Sequence, residues 1–133
     1  MFEAKFQSFA DPAAANESAG RIKRLRAALA ERSLDGFLVP RADAHQNEYV
    51  PKSAERLAWL TGFTGSAGFA VILATKAAIF VDGRYVIQVR GEIDPQVMTP
   101  LDVSAVAPSA WLAENARDGG RIGYDPWLHT SIQ

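Results

Sequence analysis

The chain contains no cysteine. A disulfide framework and thiolate metal ligation are therefore excluded, and the composition suits a reducing compartment. No apolar run approaches the roughly 20 residues that span a bilayer. The N-terminus around Lys5 lacks the continuous apolar core of a secretory signal, so a soluble, cytoplasmic protein is expected. Neither sign of charge is in excess: 14 basic and 15 acidic residues leave a net charge of -1. That balance gives no electrostatic footprint for nucleic acid or an anionic membrane, and neither is expected as a partner. Histidine is scarce, with His45 and His129 alone. What is present is ordinary globular material, 48% hydrophobic and 22% charged over 133 residues, enough for one domain with its own core.

The densest information lies between Trp59 and Tyr85. Two apolar runs, Phe69 to Leu73 and Ala77 to Val81, read as adjacent central strands. Only Ala74-Thr75-Lys76 joins them, so an antiparallel hairpin is expected in place of a crossover. Before them stands G-F-T-G-S-A-G at 62–68. It is not a dinucleotide fingerprint, because Thr64 occupies a required glycine position and a strand follows. No Gly-Lys-Ser/Thr follows for a phosphate loop, and a nucleophile elbow would need glycine at 64 instead of 65. A backbone role remains: tight turns and close chain approach where a Cβ would clash. After the hairpin, Asp82-Gly83-Arg84-Tyr85 ends the second strand and launches a helix-like segment, which places Arg84 on rigid scaffold. Tyr85 to Arg90 has strand-like β-branching but helix-like spacing.

The rest of the chain alternates. Residues 1–16, with Phe2, Phe6 and Phe9, read as a partly ordered terminal segment. A helix should begin near Asn16 or Ser18, bury Ile22, Leu25 and Leu29, and close at Leu34 before Asp35-Gly36. Its Arg21, Lys23, Arg24 and Arg26 read as a solvated face. Gly36 to Pro40 is a short strand running into a polar loop. A short helix capped by Ser53 should turn Leu57, Trp59 and Leu60 inward. Gln96 to Leu101 reads as a strand, Pro108 starts a helix stopped by Gly119-Gly120, and Arg121 to Tyr124 is a further strand. Trp127 to Gln133 looks like the approach to another helix. This pattern predicts an α/β fold, a three-layer domain with a mixed central β-sheet flanked by helices, spanning 17–133 and truncated before a last helix and strand.

Two site readings follow from the residues. His45 beside Asp43 and Glu48 lacks the clear three-ligand spacing that a metal site requires, and loop orientation by hydrogen bonding is the stronger reading. Arg84 offers a fixed, always-charged fork for a carbonyl or carboxylate. The competing role for Arg84 is an ion pair with Asp82 or Glu48 that locks the corner.

Four stretches in register, D-A-H-Q-N-E-Y at 43–49, G-F-T-G-S-A-G at 62–68, V-D-G-R-Y at 81–85 and I-G-Y-D-P at 122–126, resemble the N-terminal domain of long Xaa-Pro aminopeptidases. That group shares its fold with prolidase and creatinase. Thr64, and Pro51-Lys52, depart from the pattern commonest in relatives. The resemblance implies a ribonuclease H-like domain of a parent metallopeptidase, a hydrolase that releases the N-terminal residue preceding proline. It implies two divalent metal ions, manganese, in a separate C-terminal domain, with no catalytic residue and no metal ligand in this chain. It further implies that Arg84 contacts the substrate, with His45, Asp82 and Tyr85 in supporting positions, and that the parent is a homodimer. A prolidase or creatinase parent, or a catalytically silent binding module, are the alternatives.

Overall fold

The computed structural model describes residues 13–131, with side chains from Glu17 onward. The two apolar runs form β2 (Phe69–Leu73) and β3 (Ala77–Val81), with the expected bounds and antiparallel pairing. Leu73 N–H donates to Lys76 O at 2.8 Å and closes the hairpin. Around it lie α1 (Ala13–Glu31), β1 (Gly36–Pro40), α2 (Arg56–Thr61), α3 (Val86–Glu92), β4 (Thr99–Asp102), α4 (Pro108–Asn115) and β5 (Ile122–Gly123). The strands form one mixed sheet ordered β4-β3-β2-β1-β5, with β1–β2 and β2–β3 antiparallel and β3–β4 and β1–β5 parallel.

Strand alternation divides the core into two layers. Ala70, Ile72, Ala77, Ile79 and Val81 face Ile22 of α1, Leu57 and Leu60 of α2 and Val89 of α3. Val71, Leu73, Ala78 and Phe80 point the other way, toward Trp111 and Leu112 of α4, and Phe80 meets Trp111 edge to face at 6.1 Å. Cover on both faces explains why β2 and β3 read as unbroken apolar runs, since each buried aliphatic contributes about 1.5–3 kcal/mol. This is the helix–sheet–helix sandwich that the alternation predicts.

Several boundaries differ from the sequence reading. Helix α1 already runs at Ala13, because the alanine run favours helix without a cap at Asn16. It ends at Glu31, not Leu34: Ser33 takes a left-handed φ of 54°, and Leu34 N–H folds back to Leu29 O at 2.9 Å. Gly36 opens β1 as expected and serves packing, since a Cβ there would lie 2.6 Å from Leu73 Cδ2 and 2.9 Å from Ile72 O. Ser53 sits in a separate 3₁₀ turn (Lys52–Ala54), and α2 starts at Arg56 without a side-chain cap. Trp59 is 54% exposed and does not point inward. Arg21 stacks on its ring at 4.6 Å and donates to Trp59 O at 2.5 Å, while Arg26 Nε donates to Leu73 O at 2.8 Å. Those two arginines thus bind back to the fold and do not form a purely solvated face. Strand β4 begins at Thr99, because Asp94 folds the preceding residues into a turn through Val97 N–H and Met98 N–H. The ambiguous segment after Tyr85 is helix α3, and Trp127 lies in a 3₁₀ turn (Pro126–Leu128). The phenylalanines of the N-terminal segment lie outside the described residues.

Candidate functional site: the Arg84 corner

Strand β3 carries the chain out of the core at Val81, and the next residues form a 3₁₀ turn, Gly83–Tyr85. Asp82 is extended and caps that turn, accepting from Arg84 N–H at 3.0 Å. The same carboxylate accepts from Arg84 Nε at 3.0 Å and Nη2 at 2.8 Å. A two-point fork of this kind fixes a guanidinium in direction as well as position. Of the two partners the sequence offered, Asp82 and not Glu48 holds Arg84. The Arg84 side chain nevertheless remains 69% exposed, and among the described residues no acceptor engages Nη1. The Asp82 carboxyl is held below its usual range, chiefly by the Arg84 side-chain hydrogen bond, and Arg84 is correspondingly raised.

Tyr85 supports this head group. Arg84 Cζ lies 5.1 Å from the centre of the Tyr85 ring. The ring stands edge-on to the fully buried Phe63 at 5.7 Å, and its hydroxyl is hydrogen-bonded to Ser66 Oγ. That bond to Ser66 is the main cause holding the Tyr85 phenol below its usual range. The glycine-rich turn thus touches the corner, and its glycines act through packing as expected. Gly62 ends α2 in the left-handed region at φ 84°, and a Cβ on Gly68 would lie 2.9 Å from the Phe63 ring and 3.0 Å from Leu57. Thr64 fastens the turn to α3 through Glu92, its N–H donating at 2.8 Å and its hydroxyl at 2.7 Å.

The polar loop after β1 is organised by Asp43, only 4% exposed. Its carboxylate accepts from His45 N–H at 2.9 Å, Asn47 N–H at 3.0 Å and Asn47 Nδ2 at 3.0 Å. The Asn47 backbone bond is the largest cause of its lowered pKa, with burial opposing it. His45 therefore takes part through its backbone, while its ring is exposed. The expectation that His45 orients the loop passes to Asp43, for which an Asx turn with its own i+2 N–H was the available signal. Glu92 carried no such signal, being 28 residues from its partner.

His129 stands apart from the corner. Its ring packs edge-on to Tyr124 at 5.5 Å and Phe69 at 6.3 Å, and its buried Nε2 has no hydrogen-bond partner among the described residues. Among the described residues, no group of three or more His, Asp or Glu side chains could hold a metal ion. A shallow cavity of about 520 Å³ bordered by Glu17, Arg21, Arg24 and Trp59 shares no residue with the corner. Among the described residues, no helix is long and apolar enough to cross a membrane.

Comparison with known proteins agrees with this architecture. The Creatinase/Prolidase N-terminal domain profile matches residues 21–132. Xaa-Pro aminopeptidase 2 of Rattus norvegicus is 38% identical over 117 residues, covering 88% of this chain and 17% of the relative. Among solved structures, the X-prolyl aminopeptidase of Caenorhabditis elegans, a cytosolic enzyme with a di-nuclear active site, superposes with a TM-score of 0.75 at 29% identity. That match covers 87% of this chain and 20% of the enzyme. A creatinase/prolidase-like N-terminal domain from Corynebacterium diphtheriae superposes with a TM-score of 0.65 at 25% identity, covering 88% of this chain and 82% of that domain. The chain thus spans about a fifth of the length of the aminopeptidases it matches.

Proposed function

The chain belongs to the creatinase/prolidase N-terminal domain family, and from that premise we propose that it is the non-catalytic N-terminal domain of a metal-dependent Xaa-Pro aminopeptidase. In this reading the domain covers the active-site cleft, presents Arg84 to a peptide with proline at its second position, and supports a homodimer. Two divalent ions, manganese, reside in the C-terminal domain and supply the hydrolytic chemistry. The near-zero net charge favours a peptide over a nucleic acid or membrane partner, and the cytosolic relative favours a cytoplasmic enzyme.

The observation that carries this reading is the state of Arg84: rigidly oriented by Asp82, yet largely exposed. An arginine serving the fold alone gains little from a two-point lock at an exposed site. One serving a ligand gains orientation before the ligand arrives, so less freedom is lost on binding. The guanidinium suits a substrate carbonyl or carboxylate, with Nη1 still to be engaged. Replacing Arg84 by Ala in the full-length enzyme should cost about 1–3 kcal/mol in kcat/KM, the range for a charge-assisted hydrogen bond. An unchanged kcat/KM would return Arg84 to a role in the corner alone.

A further inference from the structure

Arg41 follows β1 directly and belongs to none of the elements that define the corner. Its Nη1 donates to two backbone carbonyls, Glu48 O at 3.1 Å and Ser66 O at 2.9 Å. Its backbone N–H donates to Gly68 O at 2.9 Å. One residue therefore clasps the Asp43 loop and the glycine-rich turn, segments 7 and 25 residues away. The turn passes that restraint onward. Ser66 Oγ bonds the Tyr85 hydroxyl, and the Tyr85 ring is the platform on which the Arg84 head rests at 5.1 Å.

We propose that Arg41 is a positioning residue for Arg84, acting through Ser66 and Tyr85. The inference rests on the reading of Arg84 as a substrate contact. Asp82 sets the direction of the Arg84 fork, and Arg41 sets where the platform beneath it stands. A permanently charged, planar donor suits the task, because charge-assisted bonds to two carbonyls restrain both strands of chain at once. Without it, Ser66 O and Glu48 O turn to water, the turn loosens, and Tyr85 loses its fixed partner.

A double-mutant cycle in the full-length enzyme tests this with Arg41→Ala, Arg84→Ala and the pair. Arg41→Ala alone should lower kcat/KM about three- to tenfold, and less than about twofold when Arg84 is already alanine. Arg41→Lys should recover part of the loss, and Tyr85→Phe, which removes only the Ser66 link, should reproduce it without adding to it. Where Arg84→Ala itself lowers kcat/KM, an equal loss from Arg41→Ala in both backgrounds, or no loss, overturns the proposal. A second readout needs no activity. In the 133-residue chain, hydrogen exchange at the Tyr85 amide, bonded to Asp82 O at 3.0 Å, should quicken on Arg41→Ala. Unchanged exchange overturns the positioning role, whereas a silent Arg84→Ala with quickened exchange overturns only the proposed function.

Discussion

Arg84 and Asp82 are two residues apart, and the pair is built almost entirely from local geometry: a capping carboxylate whose backbone and side-chain partners are the same residue. The lowered Asp82 pKa has a definite sign. A folded-state pKa below the unfolded value means the pairing contributes above the ordinary aspartate range, about 3.9, and is lost as pH falls through the lowered value. Arg84 should therefore stay oriented through neutral and mildly acidic pH. A carboxyl-carbon NMR titration should place the Asp82 midpoint below the ordinary value, and Arg84→Ala should move it up. A midpoint insensitive to that substitution would show that the fork is not formed in solution. The sequence offered Asp82 and Glu48 alike as partners of Arg84, and the local one, two residues away, is the one that forms. Asp43 was visible only as a neighbour of His45, since its burial depends on how the loop folds over it.

At the scale of elements, the glycine-rich turn carries no chemistry of its own; it makes space for one ring. Phe63 is fully buried, and Gly65 and Gly68 both lie where any Cβ would meet it. Phe63→Ala should destabilise the chain by about 3–5 kcal/mol, and Gly68→Ala by about 1–3 kcal/mol through overpacking, both read by chemical denaturation. Because the two positions share a contact, their effects should be non-additive by at least about 0.5 kcal/mol. Additive losses would mean that the ring and the turn do not pack as described. Gly36→Ala should likewise destabilise, because one of its close neighbours is the Ile72 carbonyl, which cannot rotate away. Strands β2 and β3 were readable to the residue because both faces are buried. The ends of α1, β4 and α2 were not, since turns made by Ser33, Asp94 and Glu55 decide them through tertiary fit as much as through propensity. Trp59 misled the reading of α2 for a related reason: its ring finds cover from Arg21 on a neighbouring helix.

At the scale of the whole molecule, the mixed five-stranded sheet brings three distant stretches to one place: the Asp43 loop after β1, the turn before β2 and the corner after β3. Strand β5 joins through a separate clamp. Asp35 accepts from Arg117 Nε at 2.6 Å and from Arg121 N–H at 2.7 Å, seating Ile122 and Gly123 beside β1. Three of the four motifs that carried the family resemblance therefore lie at one end of the sheet, around the corner. In the proposed division of labour this chain binds and positions, and hydrolysis belongs to the larger enzyme. The most direct test assays release of the N-terminal residue from an Xaa-Pro peptide with added manganese, comparing the 133-residue chain with the full-length protein. The full-length protein should turn the peptide over and the chain alone should not. Turnover by the chain alone, or none by the full-length protein, would contradict the account.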